Sequence, residues 1–245
     1  INIISDIDTE KINILIDLRN SEGNERYLVK VFESDTLLVD QAFKSIDEIK
    51  IDLINPKLWS PKNPQLYDIE IEVFRDSIML DKITSYFAMR KISIGKDKHG
   101  FTKLYLNNEE LFHWGTLDQG WWPDGLLTPP SVEAMVYDMN VLKSLGFNAI
   151  RKHIKIEPAI YYHKADKLGF LIWQDMPSGF LHNHHPEQHV MWGDKKDWDR
   201  PEESAILFKK EWKNIIDHLK FFSSIVVWIP FNEGWGQFES KEITK

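Results

Sequence analysis

The sequence predicts two domains, an immunoglobulin-like β-sandwich over residues 1–94 followed by about half of a (β/α)8 TIM barrel over residues 95–245. In the first part of the chain apolar and polar residues alternate, which is the period of a strand with one buried face. After Gly100 the period becomes that of helices separated by short apolar runs. The chain has 245 residues, of which 42% are hydrophobic, so two cores can form.

The N-terminal part has the pattern of short strands. Ile12, Ile14 and Ile16 occupy alternate positions, and the same pattern returns over residues 69–73. Further candidate strands are 27–33, 36–43, 48–53, 77–80 and 84–94. About seven short strands separated by turn signals are typical of an immunoglobulin-like sandwich.

The C-terminal part has the pattern of alternating strands and helices. Ser131 can cap a helix that ends at Gly146, Pro158 can begin a second that ends at Gly169, and Pro201 can begin a third. The intervening apolar runs are 111–115, 148–151, 170–173 and 225–229. This order, β-α-β-α-β-α-β, predicts parallel strands joined by right-handed crossovers.

The length of this part favours an incomplete barrel. An eight-fold barrel needs about 250 residues, and about 150 follow the sandwich. A complete four-stranded doubly wound domain is the alternative. Such a domain has a glycine-rich phosphate loop after its first strand, whereas residues 116–122 read Thr-Leu-Asp-Gln-Gly-Trp-Trp.

Composition narrows the range of partners. The net charge is −8 and neither half carries a basic stripe, which argues against nucleic acid. No apolar run approaches the roughly 18 to 20 residues needed to cross a bilayer, so we expect no membrane role. The absence of cysteine excludes disulfides and leaves the compartment open, with an exported location slightly preferred. We expect no cofactor.

Aromatic residues point to a sugar ligand. The chain has ten tryptophans, and most follow residue 110. Indole rings stack on the apolar C–H faces of sugars, so this distribution favours a carbohydrate partner, with core packing as the alternative for any single tryptophan.

Polar and aromatic residues follow each of the four predicted strands. In β/α folds the reacting groups gather at the carboxyl ends of the strands. The candidates, in strand order, are Asp118 and Trp121, then Arg151 and His153, then Trp173 and Asp175, then Asn232, Glu233 and Trp235. We therefore expect a binding site at this edge of the sheet.

Glu233 is the candidate catalytic residue. The apolar run 225–229 leads directly to Asn232 and Glu233. Among Trp and Phe rings a carboxyl group is partly desolvated, which raises its pKa and lets it hold a proton near neutral pH. Glycoside cleavage needs such a group, first as an acid and then as a base, and Asn232 can bind the sugar 2-hydroxyl. A solvated glutamate beside an Asn cap is the alternative.

Several segments resemble glycoside hydrolase family 2, whose members include β-galactosidases, β-mannosidases and β-glucuronidases. The resemblance spans roughly residues 55–240, and the segments that carry it are 59–61, 64–67, 146–151, 171–177 and 228–238. It implies an immunoglobulin-like domain before a barrel whose fourth strand ends in Asn-Glu and whose seventh strand supplies a nucleophilic glutamate. It therefore implies that Glu233 is the acid/base of a retaining, exo-acting β-glycosidase, with Asn232 and Arg151 beside it.

Two departures from the family pattern affect what we expect. The chain ends twelve residues after Glu233, so we expect its nucleophile to lie elsewhere. We expect these 245 residues alone to be inactive and to associate through an open half-barrel. Residues 152–158 also differ from the Ser-His-Tyr-Pro of many β-galactosidases, although a galactoside is still the first substrate to consider.

A histidine-rich insert suggests a third class of function. The insert spans residues 178–199 and contains His182, His184, His185 and His189 with Trp192 and Trp198. Imidazoles at this density can bind zinc or nickel, as in a metal-dependent hydrolase. We favour an active-site loop with no metal, since long insertions in β/α domains usually serve the binding face. A carbohydrate-binding or interaction module without catalysis is the remaining alternative.

Overall fold

The computed structural model describes residues 1–44, 48–177, 197, 199–233 and 236–245. These residues form two compact units, Ile1–Phe112 and His113–Lys245. The division lies after the boundary expected at residue 94, because the strands that follow residue 90 pair with one another and belong to the first unit.

The described part of the first unit contains three antiparallel sheets. One has the order β1-β2-β5 and consists of β1 (Asn2–Asp6), β2 (Lys11–Leu15) and β5 (Glu48–Asp52). The second has the order β4-β3-β6-β7 and consists of β3 (Arg26–Glu33), β4 (Thr36–Lys44), β6 (Tyr67–Arg75) and β7 (Ile78–Phe87). The third has the order β10-β9-β8 and consists of β8 (Ile92–Lys96), β9 (Thr102–Leu106) and β10 (Glu109–Glu110).

Alternation along the strands builds the core of this unit. Ile12 and Ile14 of β2 are fully buried in one cluster with Val29 of β3 and Ile71 of β6. The first two sheets therefore share a core, as the period of the sequence predicts. The expected break between strands 77–80 and 84–94 is wrong. The chain is continuous in β7 through Lys82, whose ammonium donates to Glu70 on the paired strand.

The second unit has the predicted alternation of strands and helices. In chain order it contains β11 (Gly115–Asp118), α1 (Val132–Ser144), β12 (Ala149–Lys152), α2 (Ala159–Leu168), β13 (Leu171–Asp175), α3 (Glu202–Leu219), β14 (Ile225–Ile229) and α4 (Ser240–Ile243). The sheet order is β11-β12-β13-β14 and every pairing is parallel. The first strand begins at Gly115, whereas the apolar run predicted 111–115.

The helix ends follow the predicted capping residues. Ser131 Oγ accepts a hydrogen bond from the amide of Ala134 at 3.2 Å, which caps α1. Gly169 ends α2 in the left-handed conformation, with φ of 71°. None of the described helices is long and apolar enough to cross a membrane.

The two faces of the parallel sheet have different roles. Ile150 and Ile172 pack with residues of α1 and α2 in one buried cluster. Their neighbours Arg151 and Trp173 must point to the opposite face, because successive side chains of a strand alternate. The helices therefore cover one face of the sheet. Three predicted site residues, Arg151, Trp173 and Asp175, lie on the other face.

Candidate functional site

Arg151, Asp175 and Asn232 form a hydrogen-bonded network at the carboxyl ends of three strands. The Arg151 guanidinium donates to both Asp175 oxygens, from Nε to Oδ1 at 3.0 Å and from Nη2 to Oδ2 at 2.8 Å. Nη2 also donates to Asn232 Oδ1 at 2.8 Å. The structure thus brings together three predicted site residues that lie up to 81 positions apart in the chain.

The strand register explains this convergence. Arg151 lies opposite Trp173 on the next strand, so its guanidinium reaches Asp175, which ends that strand two residues later. The carboxylate is fully buried and also accepts from the amide of Ile154 at 3.3 Å. A buried carboxylate with a bidentate arginine and a backbone donor has the partners that its charge requires.

One hydrogen-bond donor of Asn232, its side-chain Nδ2, is not used among the described residues. Its Oδ1 accepts from Arg151, which fixes the orientation of the amide with Nδ2 as the free end. Nδ2 is buried and has no hydrogen-bond partner among the described residues. Buried polar groups almost always have a partner, so this unpaired donor marks the place where a ligand acceptor would complete the network.

Glu233 follows Asn232 in the left-handed backbone conformation, with φ of 51°. Ile154, on the loop after β12, also has a positive φ, of 42°, which is rare for a β-branched residue. Strained residues of this kind concentrate at functional sites. Glu233 is exposed, so the described residues around it do not supply the desolvation that was expected from neighbouring rings.

Trp173 contacts a histidine that the sequence analysis did not select. The indole Nε1 donates to His113 Nδ1 at 2.8 Å, and the two rings meet edge to face. Burial lowers the pKa of His113, which favours the neutral ring that can accept this hydrogen bond. The sequence signal for His113 is its position just before the first parallel strand.

His153 lies at the edge of the network. It is buried, and its amide donates to the carbonyl of Asp118 at 2.9 Å. Its ring Nδ1 lies 3.4 Å from Gln119 Nε2. The structure therefore joins the loops that follow β11 and β12 at this residue.

The structure places Asp118 on the helix-covered face. Its Oδ2 accepts from Lys152 Nζ at 2.9 Å and from the hydroxyl of Tyr161 on α2 at 3.2 Å. Burial raises the pKa of Tyr161 well above its usual value, so the hydroxyl remains a donor. Asp118 thus takes part in an ion cluster on the opposite face of the sheet from Arg151.

Trp121 is exposed on the loop after Asp118. It is 63% exposed and borders a cavity of about 610 Å³ together with Leu117 and Tyr137. An exposed indole beside a cavity can stack on a sugar or another apolar ring.

Some predicted residues lie outside the described part of the chain. They are Trp235 and, in the insert, His182, His184, His185, His189, Trp192 and Trp198. Among the residues that the structure does describe, there is no group of three or more histidine, aspartate or glutamate side chains that could hold a metal.

A second layer of polar residues lies beneath the strand ends, around Gln174 of β13. The hydroxyl of Tyr162 donates to Gln174 Oε1 at 2.7 Å, and Gln174 Nε2 donates to the carbonyl of Lys155 at 2.8 Å. Gln174 is fully buried, so these contacts hold the end of β13 against the loop after β12.

Comparison with known proteins gives consistent matches. The model of the family "Glycosyl hydrolases family 2" matches residues 2–90. A putative beta-glucuronidase of Formosa agariphila is 28% identical over 186 residues, which cover 76% of this chain and 16% of that protein. A beta-glucuronidase of Streptococcus agalactiae is 22% identical over 231 residues, which cover 93% of this chain and 36% of that protein. A beta-galactosidase of Thermoanaerobacter pseudethanolicus is 24% identical over 168 residues, which cover 65% of this chain and 22% of that protein.

Solved structures match along nearly the whole chain. A beta-glucuronidase of Parabacteroides merdae superposes with a TM-score of 0.70 at 19% identity, covering 99% of this chain and 30% of that one. A β-glucuronidase of Ruminococcus gnavus superposes with a TM-score of 0.73 at 18% identity, covering 94% of this chain and 36% of that one. At these identities the superpositions establish the fold. The chain spans 16% to 36% of the length of the three curated relatives above.

Proposed function

We propose, from the premise that this chain belongs to glycosyl hydrolase family 2, that it is the part of a retaining, exo-acting β-glycosidase that carries the general acid/base, Glu233. In this proposal the first unit is the immunoglobulin-like sandwich and the second is the first half of the catalytic (β/α)8 barrel. The carboxyl ends of the parallel strands then form one side of the active site.

The observation that carries the proposal is the Nδ2 group of Asn232, beside Glu233, which is buried and has no hydrogen-bond partner among the described residues. Arg151, which Asp175 orients, donates to Asn232 Oδ1, so the direction of Nδ2 is fixed before any ligand arrives. A hydrogen bond from Nδ2 to the sugar 2-hydroxyl would strengthen as positive charge develops on the sugar ring. Preorganised donors of this kind act mainly on the transition state.

Glu233 has two tasks in this reaction. It protonates the departing glycosidic oxygen, and it then removes a proton from the water that releases the sugar. Its exposed carboxyl group can reach both a leaving group and solvent water.

A retaining mechanism needs a second carboxylate at about 5 to 5.5 Å. Both oxygens of Asp175 already accept from Arg151, so Asp175 is a poor nucleophile. We therefore propose that another part of the longer protein supplies the nucleophile. His153, Trp173 and Trp121 are proposed sugar contacts, with Trp235 added from the sequence and Asp118 acting only indirectly.

A panel of aryl β-glycosides tests the proposal on the longest natural protein that contains this chain. A galactoside is the first substrate, followed by a glucuronide, a mannoside and a glucoside. We expect hydrolysis of at least one, with NMR showing the β-anomer as the first product.

The matched control is Glu239→Gln, which removes another exposed carboxylate with a positive φ in the same segment and should leave activity unchanged. Sugar binding without hydrolysis would contradict the proposal and favour the binding module.

A further inference from the structure

We infer that Lys152, Lys155 and Glu157 form a buried ionic clamp that holds the loop after β11 (residues 119–122) in place for sugar binding. These three residues are positioning residues, since they act through the loop. The inference rests on the proposed function, and it concerns a segment in which the sequence departs from many β-galactosidases.

The clamp is a set of close ion pairs with little access to solvent. Glu157 Oε1 lies 2.5 Å from Lys152 Nζ and 2.8 Å from Lys155 Nζ. Lys152 also pairs with Asp118 at 2.9 Å and lies over the ring of Tyr161 at 4.9 Å. Lys152 is 1% exposed and Glu157 is also buried.

The charges balance when Asp118 is counted together with the clamp. Two lysines face Asp118 and Glu157, so the cluster has no net charge, which is the condition under which buried ions are tolerated. A buried ion pair adds little net stability compared with apolar residues of the same volume. Its value to this chain therefore lies in fixing a particular arrangement of the groups that it joins.

The loop backbone lies directly on the clamp at Gly120. Lys155 Nζ donates to the Gly120 carbonyl at 2.9 Å, and the Gly120 amide donates to Asp118 Oδ1 at 2.8 Å. Gly120 has a φ of +68°, and a Cβ at this position would lie 2.6 to 2.7 Å from both lysine ammonium groups and from Glu157 Oε1. Only glycine allows this approach.

The clamped loop reaches the candidate site through Gln119. Gln119 Nε2 contacts His153 Nδ1 at 3.4 Å, and the next residue, Ile154, donates its amide to Asp175. Asp175 in turn holds Arg151. A displacement of the loop would therefore act first on His153, a proposed sugar contact, while Asp175 keeps its bidentate pair with Arg151 and Glu233 keeps its place in the segment after β14.

The test compares Lys155→Met with Lys143→Met in the longest natural protein that contains this chain. Lys143 is a matched control because its Nζ also donates to a glycine carbonyl, that of Gly169, at 3.1 Å, but at the opposite end of the strands. Amide hydrogen exchange of residues 116–126 and steady-state kinetics are measured for both variants. Lys155→Arg tests whether a longer cation restores the clamp.

We expect Lys155→Met to speed exchange in residues 119–122 on the order of tenfold, equivalent to about 1.4 kcal/mol of local stability. We expect KM to rise at least about fivefold with kcat within about twofold, the pattern of lost uniform binding. Lys143→Met should change neither measurement, and Lys155→Arg should recover part of both. If Lys155→Met does not fold, Gly120→Ala displaces the loop from the other side and should give the same pattern.

Unchanged exchange in residues 119–122, or an equal change in both methionine variants, would overturn the clamp. Faster exchange with an unchanged KM would overturn its role in sugar binding. Absence of hydrolysis in the wild type would instead contradict the proposed function, because the exchange comparison does not depend on activity.

Discussion

Replacement of Arg151 by methionine is the most informative perturbation of the network. The variant loses three hydrogen bonds, two to Asp175 and one to Asn232. It leaves the Asp175 carboxylate fully buried without its cation. Removing one partner of a buried ion pair costs about 3 to 5 kcal/mol. The Arg151 side chain is 32% exposed, so in the variant water can partly solvate the Asp175 carboxylate. We therefore expect a loss of stability at the lower end of this range, about 3 kcal/mol.

Urea unfolding of the 245-residue chain measures this cost. All tryptophans except Trp59 follow residue 112, so Trp59→Phe as the background makes tryptophan fluorescence report on the second unit. The matched control is Arg75→Met, which breaks a pair of the same type with the buried Glu25 in the first unit. Its effect should not appear in the fluorescence transition.

A double substitution separates the lost pair from the loss of packing. Arg151→Met combined with Asp175→Leu removes both charges, and we expect it to recover at least about 1 kcal/mol relative to Arg151→Met alone. A loss below about 1 kcal/mol for Arg151→Met would be the value of an exposed pair and would refute the account of the network.

Ser131→Ala removes the cap of α1 and should cost about 1 kcal/mol in urea unfolding, whereas Ser144→Ala should cost less. Because burial lowers the pKa of His113, the folded state binds fewer protons than the unfolded state, so stability should fall as the pH drops below about 6.5. His113→Gln should remove part of this loss. The 245 residues alone should associate in light scattering, since β11 and β14 are the edges of the described parallel sheet. They should hydrolyse no aryl glycoside, since Asp175, whose two oxygens both accept from Arg151, is a poor nucleophile. A monomer would contradict the first expectation and any turnover the second.

The sequence was sufficient to predict the order of β11 to β14 and α1 to α3, and the meeting of three site residues at the strand ends. Regular periodicity carries that information, and Arg151, Asp175 and Asn232 met because parallel strands end at one edge of the sheet. The continuous strand β7 was not predictable from pattern alone. Its polar middle is stabilised by charged partners across the sheet at Glu70 and Glu72.

It was harder to predict on which face of the sheet the side chain at each strand end lies. Asp118 ends its strand like Asp175, but it shares the helix-covered face with Lys152. A shift of one residue in a strand moves a side chain to the other face, and the predicted bounds of β11 were off by more than that. The clamp also depends on the backbone conformation of Gly120, which single-sequence patterns do not specify.

The central claim is that Glu233 is the acid/base, and leaving-group dependence tests it most directly. In the longest natural protein containing this chain, kcat/KM is measured for wild type, Glu233→Gln and Glu239→Gln on aryl β-glycosides with good and poor leaving groups. Activated leaving groups need little protonation, so Glu233→Gln should reduce hydrolysis of the poor ones far more, with Glu239→Gln unchanged. Equal losses on both classes of substrate would contradict the assignment of Glu233.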